Sequence, residues 1–467
     1  MNELRVAQSS VVFGDPHICS DSRTRLSLQA TIYEPLIGRI GPGQFTPQLA
    51  EAWETRDGRV WEFLLRDDVR AHNGTSFEAN DVVANLMRII DPKVGGAFGT
   101  EGVYASYLGK AAFTTSGRLR LKISLPEPTA DLLELLVEMP MLPENVMDDL
   151  PDTHVGTGRY MIRDMDNDNV ILESNPYYWG SKPRYEKLHW MGVGGEADRL
   201  SLIKNGEADI ASGLSWRGVE EAHQIEVSTV SQPGYLSVIF MFNCISEPCR
   251  DVKIRRALNY ATDTGKIVKE VIHGSGDRLN GPFTPHHFGY NSETRPYPYD
   301  PAEAKRLLRE AELSDLSLTM DVPRVMPDES VELSRVLTKQ WGEVGVNVTT
   351  RVHEHREQYS HMVRDKKIGD LCCFDSSPMS SFRVLREKIH GGLKGPWWEG
   401  YSNSRVDSLI DEAQATVNNE VRRKIYRSVY QMIRDDAPWV FLYSPRLHYA
   451  LRDVDWKPSW DGVVRIE

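Results

Sequence analysis

Thirteen histidines are spread along this chain, and their densest group is His353-Glu354-His355 with His361 close behind. A metal centre needs donors that converge on one point with a second shell to orient them. The segment reads as a strand end running into a helix, where His353 and His355 can share a face, and we read it as a solvated surface cluster. His286-His287, after Pro285, reads the same way. No His-Glu-x-x-His, Gly-x-Ser-x-Gly or phosphate-loop sequence occurs, and Gly192-Val193-Gly194-Gly195 lacks the spacing of a dinucleotide loop. None of the five cysteines forms a Cys-x-x-Cys pair. Cys244 and Cys249 flank a short turn containing Pro248. They could close a small loop in an oxidising compartment or remain two free thiols. Cys372 and Cys373 are neighbours in a strand and point to opposite faces, and Cys19 stands apart. No catalytic residue, metal ligand or cofactor is expected.

The elements that would position a binding site are of mixed type. At 467 residues the chain exceeds one ordinary core, so two or more lobes are expected. With 40% hydrophobic and 26% charged residues it is a packed globular protein. A net charge of -12 without basic runs excludes a binder of nucleic-acid phosphates. No apolar stretch approaches the ~20 residues that span a bilayer. The start, Met1-Asn2-Glu3-Leu4-Arg5, lacks the basic and apolar regions of a secretory signal, and a chain trimmed to its mature start reads the same way.

Along the chain, strand 4–8 and a helix over 27–36 come first. A hairpin over 53–64 follows, turning at Asp57-Gly58. Asn80 is read as the cap of an amphipathic helix that stops at Pro92. A strand at 119–125, a helix at 130–138, a strand at 169–174 and a helix at 197–205 ending on Gly206 come next. Then come an apolar strand at 235–243 and a helix over 253–272. Asp300-Pro301-Ala302-Glu303 is a helix start with Pro at the first helical position. Strand 316–322, helix 331–344, strand 346–352, a strand at 371–374, helices 404–417 and 420–435 and a strand at 439–443 complete the pattern of an α/β protein.

The run Phe45-Thr46-Pro47-Gln48-Leu49-Ala50-Glu51-Ala52-Trp53, the Asp57-Gly58 hairpin and His72-Asn73-Gly74-Thr75-Ser76-Phe77 resemble the signature of the family 5 extracytoplasmic solute-binding proteins, the peptide, nickel and opine binders of ABC importers. Four further blocks agree in order: Gly156-Thr157-Gly158-Arg159-Tyr160 with Asn175-Pro176-Tyr177-Tyr178-Trp179-Gly180; Asn205-Gly206-Glu207-Ala208-Asp209-Ile210; Asn243 with Asp251-Val252-Lys253-Ile254-Arg255-Arg256-Ala257-Leu258; and Tyr401-Ser402-Asn403-Ser404-Arg405-Val406-Asp407. The resemblance spans residues 4–450. It implies a periplasmic-binding-protein-like type II α/β fold of the cluster C type, two lobes with hinge strands plus an extra α/β domain. The first lobe would be 1–36, 154–238 and 440–467, the extra domain 37–153, and the second lobe 239–439. Such a trap closes on a ligand held between its lobes, because the closed state is favoured by contacts that both make.

The same resemblance points to site residues. In peptide-binding relatives an aspartate four residues before a proline holds the peptide's amino group. Here that position before Pro378 is Phe374, with Asp375 and Ser376 next to it. A one-residue step in a strand reverses the face, which leaves room for a sugar-containing or opine-like ligand. Trp397 and Trp398 lie in a region that lines the cleft in relatives, where an indole stacks on a pyranose, covers a side chain or packs the lobe. Tyr33 and Glu34 correspond to first-lobe contacts, and Trp216, Tyr235 and Asn243 fall near the crossing strands. Arg383 could fork onto a carboxylate or phosphate. Nickel and haem relatives exist in the wider family, but no soft-ligand set assembles here. The expected function is capture of a small molecule or peptide in the periplasm by a monomer that delivers it to an ABC permease, with no enzyme activity and no nucleic acid as partner. A hydrolase or metal-dependent enzyme, or a ligand sensor docking on a receptor, are the alternatives.

Overall fold

The computed structural model describes residues 2–312 and 316–466. The chain divides into two compact units. The first comprises the residues up to Gly96, Thr100–Gln232 and those from Leu447 on; the second comprises Ala97–Gly99 and Pro233–Arg446.

The first unit is built on a mixed seven-stranded sheet. Its strand order is Tyr160–Met165, Asn169–Ser174, Lys187–Gly192, Glu3–Gln8, Ile210–Leu214, Leu447–Leu451 and Ser228–Gln232. Glu3–Gln8 runs parallel to both of its neighbours, and the remaining pairs are antiparallel. The period of two in extended backbone makes this strand serve two cores. Leu4 and Val6 face a cluster with Phe13, Ile32, Tyr160 and Trp190, and Ala7 faces another with Leu200, Ile203 and Ala222. Helix Glu196–Asn205 packs on that second side and ends at Gly206, whose φ of +75 returns its N–H to the carbonyls of Leu202 and Ile203. A second, four-stranded antiparallel sheet, Ala50–Thr55, Val60–Leu65, Arg120–Ser124 and Ala112–Ser116, carries the expected hairpin with Gly58 at φ +72.

Two expectations are corrected here. The first helix is Arg23–Ile32, and the chain is already extended at Glu34–Pro35, where it pairs with Pro140–Met141. Pro35 explains this, since its ring disfavours helical geometry at Glu34. Helix Ala79–Ile89 is capped by Glu78, whose N–H donates to Asp81 at 2.7 Å; Asn80 lies inside the first turn and accepts from Thr115 Oγ1 at 3.0 Å.

The second unit centres on a six-stranded sheet in the order Gly276–Arg278, Trp439–Pro445, Ser237–Phe242, Leu371–Ser376, Leu316–Pro323 and Val346–His353. Every residue of Ser237–Phe242 is buried, as the apolar run Val238–Phe242 requires. Leu316–Pro323 is parallel to Val346–His353 and to Leu371–Ser376, while Ser237–Phe242 is antiparallel to both of its neighbours. The helix expected over 253–272 is two helices, Val252–Tyr260 and Thr264–Glu270. Asp263 interrupts it by taking the N–H of Lys266 at 2.9 Å, while the Thr262 hydroxyl donates back to Leu258 O at 2.7 Å and accepts from Trp341 Nε1 at 3.0 Å. Among the described residues no helix is long and apolar enough to cross a membrane.

Candidate functional site

Strand Leu371–Ser376 sets out three of the expected site residues by alternation. Phe374 lies opposite Ile239, Asp375 opposite Val238 and Ser376 opposite Ser237, so Phe374 and Ser376 share one face and Asp375 takes the other. The Phe374 ring is enclosed. The Trp397 centroid lies 5.1 Å away, that of Tyr359 6.5 Å, the Arg356 guanidinium carbon 4.9 Å and Lys388 Nζ 5.0 Å. Two cations at an aromatic ring with this little exposure give a cation–π arrangement. Asp375 is not left open: Arg356 Nη2 donates to its Oδ1 at 2.9 Å. Arg356, at the start of helix Arg356–Arg364, was not singled out by the sequence, because nothing local marks an arginine there as the partner of a strand nineteen positions on.

Trp397 is held by close backbone contact. A Cβ on Gly395 would stand 2.4 Å from the Arg386 carbonyl and 2.6 Å from Glu387 Cα, so only glycine lets this loop lie on helix Ser381–Lys388. The N–H of Trp397 then donates to Glu387 O at 3.0 Å. Trp398 is half-buried, donates from Nε1 to Tyr401 O at 2.5 Å and lies under Lys394. Glu399 follows, buried, with Lys366 Nζ 3.4 Å from its carboxylate. Burial raises the Glu399 carboxyl to about 7 against that attraction. Arg383 is buried on the same helix as Lys388, with its Nε on Glu387 at 2.9 Å. Tyr235 is buried ahead of strand Ser237–Phe242. Asn243 follows the last residue of that strand, at the end opposite Ser376. There its Nδ2 donates to Gly369 O at 3.0 Å and its Oδ1 accepts from Ile245 N at 3.2 Å, so the structure does not bring it to Phe374.

In the first unit, Tyr33 is buried with its hydroxyl 3.3 Å from His154 Nδ1. Glu34 is a hub. Its buried carboxylate accepts from Gln48 Nε2 at 2.5 Å, Thr157 Oγ1 at 2.8 Å, Trp179 Nε1 at 3.1 Å and the Tyr178 hydroxyl at 3.4 Å. These donors come from three separate segments of two of the sequence blocks quoted above, so those segments are held together by one acid. Burial raises its carboxyl despite all four donors. Trp216 opens helix Trp216–Gln224, half-buried, with Arg217 stacked 4.5 Å from its ring.

The histidines of the 353–361 stretch go to separate partners: His353 Nε2 lies 2.8 Å from Asp321 Oδ1, and His361 Nε2 lies 3.2 Å from Glu357. Cys244 and Cys249 are free, buried thiols, so the loop closure considered for them is not formed; burial raises the Cys244 thiol to about 11.

The pattern describing "Bacterial extracellular solute-binding proteins, family 5 Middle" matches residues 44–370, more than half of the chain. The chain belongs to this family. Heme-binding protein A of Haemophilus influenzae is 24% identical over 454 residues, covering 88% of this chain and 81% of its own. The dipeptide-binding protein of Escherichia coli is 23% identical over 458 residues, covering 91% and 85%. The fold is that of NikA from Brucella suis, solved in complex with Fe(III)-EDTA, with a TM-score of 0.84 at 20% identity over 98% of this chain and 97% of that one. The α/β periplasmic-binding-protein class read from the sequence is therefore the class observed, and its family 5 relatives are binding proteins.

Proposed function

We propose that this family 5 protein captures a small solute, a peptide, an opine or a saccharide-like molecule, in the periplasm and delivers it as a monomer to an ABC permease, without catalysing a reaction. Its three parts would be 1–36 with 154–238 and 440–467, the inserted 37–153, and 239–439. The observation that carries the reading is the end of strand Leu371–Ser376. Enclosed aromatic rings, Phe374 and Trp397, stand beside two cations there, while Asp375 is neutralised by Arg356. Binding clefts have this make-up, a mostly apolar lining with a few placed polar groups. Bound solute stabilises a binding protein by mass action. Thermal unfolding against a panel of peptides, opines and saccharides should show a concentration-dependent rise in Tm for one class with the solute recovered intact. Steady conversion of the solute to product would sink the proposal.

A further inference from the structure

Beyond Phe374 the second unit's sheet ends in a row of three serines. Ser376, the last residue of its strand, lies directly opposite Ser237, the first of the next. On the other side of Ser237, Val238 is opposite Tyr443 in the last pair of that antiparallel ladder, and Ser444 follows Tyr443 as Ser237 precedes Val238. Ser444, Ser237 and Ser376 thus stand at one end of three adjacent strands, with the paired Ser237 and Ser376 about 5 Å apart. Their relative exposures are 4%, 1% and 1%. None of the three hydroxyls has a hydrogen-bond partner among the described residues. The Tyr443 hydroxyl, 1% exposed at the same end of the sheet, is also without a partner.

A buried hydroxyl without a partner is uncommon, since interiors satisfy the large majority of their polar groups. Serine has an easy remedy in a nearby carbonyl, and here three adjacent serines forgo it at one sheet end. The end is also the carboxyl end of Leu371–Ser376, the side of an open α/β sheet on which ligands bind. Each hydroxyl both donates and accepts, so a row of them matches a group that does the same. A peptide ammonium only donates and needs a buried negative charge, and the carboxylate of the same strand, Asp375, lies on the other face and is already engaged by Arg356.

Resting on the solute-binding reading above, we propose that the Ser444–Ser237–Ser376 row is a subsite for a neutral, hydroxyl-rich group of the solute, a saccharide or polyol. Its occupant supplies the partners these hydroxyls lack within the protein.

The test uses the whole chain with two probes, the neutral trisaccharide maltotriose and the peptide tri-alanine, and follows thermal stabilisation and calorimetric Kd. The native protein should be stabilised by the saccharide and not by the peptide. The triple variant Ser237→Ala, Ser376→Ala, Ser444→Ala should unfold at the same or a higher temperature on its own and bind the saccharide at least tenfold more weakly. Equal saccharide affinity in the variant would overturn the subsite. Stabilisation by tri-alanine alone, or by neither probe, would overturn it too, while the solute-binding reading falls only if the whole panel of peptides, opines and saccharides gives no stabilisation.

Discussion

Arg356 Nη2 and Asp375 Oδ1 meet at 2.9 Å, with 9% and 17% of the two side chains exposed. Removing one partner leaves the other charge in a poorly hydrated place, which costs more than the pair itself contributes. Arg356→Gln should lower unfolding free energy by roughly 2–4 kcal/mol, and adding Asp375→Asn should recover a large part of it. Urea denaturation of the two single variants and the double variant measures the coupling; additive losses would show that the contact carries no energy.

The loop at His72 is set by an imidazole whose tautomer the geometry decides. The N–H of Gly156 donates to Nδ1 at 3.2 Å, so Nδ1 is bare, and Nε2 carries the proton toward Gly158 O at 3.1 Å. Burial lowers this ring from 6.5 to about 4. Over that interval the unfolded chain binds a proton that the folded chain refuses. The stabilisation is therefore complete above pH 6.5 and lost as pH falls toward 4, roughly 2 kcal/mol of it by pH 5. Burial also holds His17 at about 4. His72→Gln should flatten, without abolishing, the fall in urea midpoint between pH 7 and 5; an unchanged slope would contradict the assignment.

Glu399 gives the opposite sign. Its carboxyl stands at about 7 in the folded chain against 4.5 ordinarily. The folded chain thus keeps a proton that the unfolded chain releases, and this contribution is present below pH 4.5 and lost as pH rises through 7. Burial also lowers the Lys366 ammonium beside it. Glu399→Gln should gain about 3 kcal/mol relative to the native chain at pH 8 and under about 1 kcal/mol at pH 5. Paired calorimetric scans at the two pH values read the difference directly.

Glu34→Ala should be among the costliest changes in the first unit. It would strip the acceptor from Gln48, Thr157, Trp179 and Tyr178 together, at about 1–3 kcal/mol for each buried donor left without a partner. Glu34→Gln keeps one acceptor oxygen and should cost less than half as much. Near-ultraviolet circular dichroism would follow the loosening of Trp179, and equal losses in the two variants would argue against the hub.

The periodic elements were legible because their causes are local. Asp300 accepting the Glu303 N–H at 2.9 Å, Gly206 closing its helix and Gly58 turning its hairpin all act within a few residues. The expectations that moved did so where a neighbour in space intervened. Trp341 Nε1 donates to the Thr262 hydroxyl at a helix break, and Pro140–Met141 paired with Glu34–Pro35 where a helix had been expected. Of the candidate site, Phe374, Asp375, Ser376 and Trp397 fall together in the second unit, while Asn243 lies at the far end of its strand.

By itself the amino-acid order determined the family, the alternation of strands and helices, and the step from aspartate to Phe374 in the strand before Pro378, because side-chain type and spacing act along the chain. Only the tertiary structure decided what those residues do for one another. The arginine that cancels Asp375, the acid that joins three distant segments at Glu34, and the placing of Ser444, Ser237 and Ser376 at one sheet end all depend on strand register and packing between segments far apart in sequence. Hydrogen bonds and ion pairs act over a few ångströms of space, and separation along the chain does not report that distance.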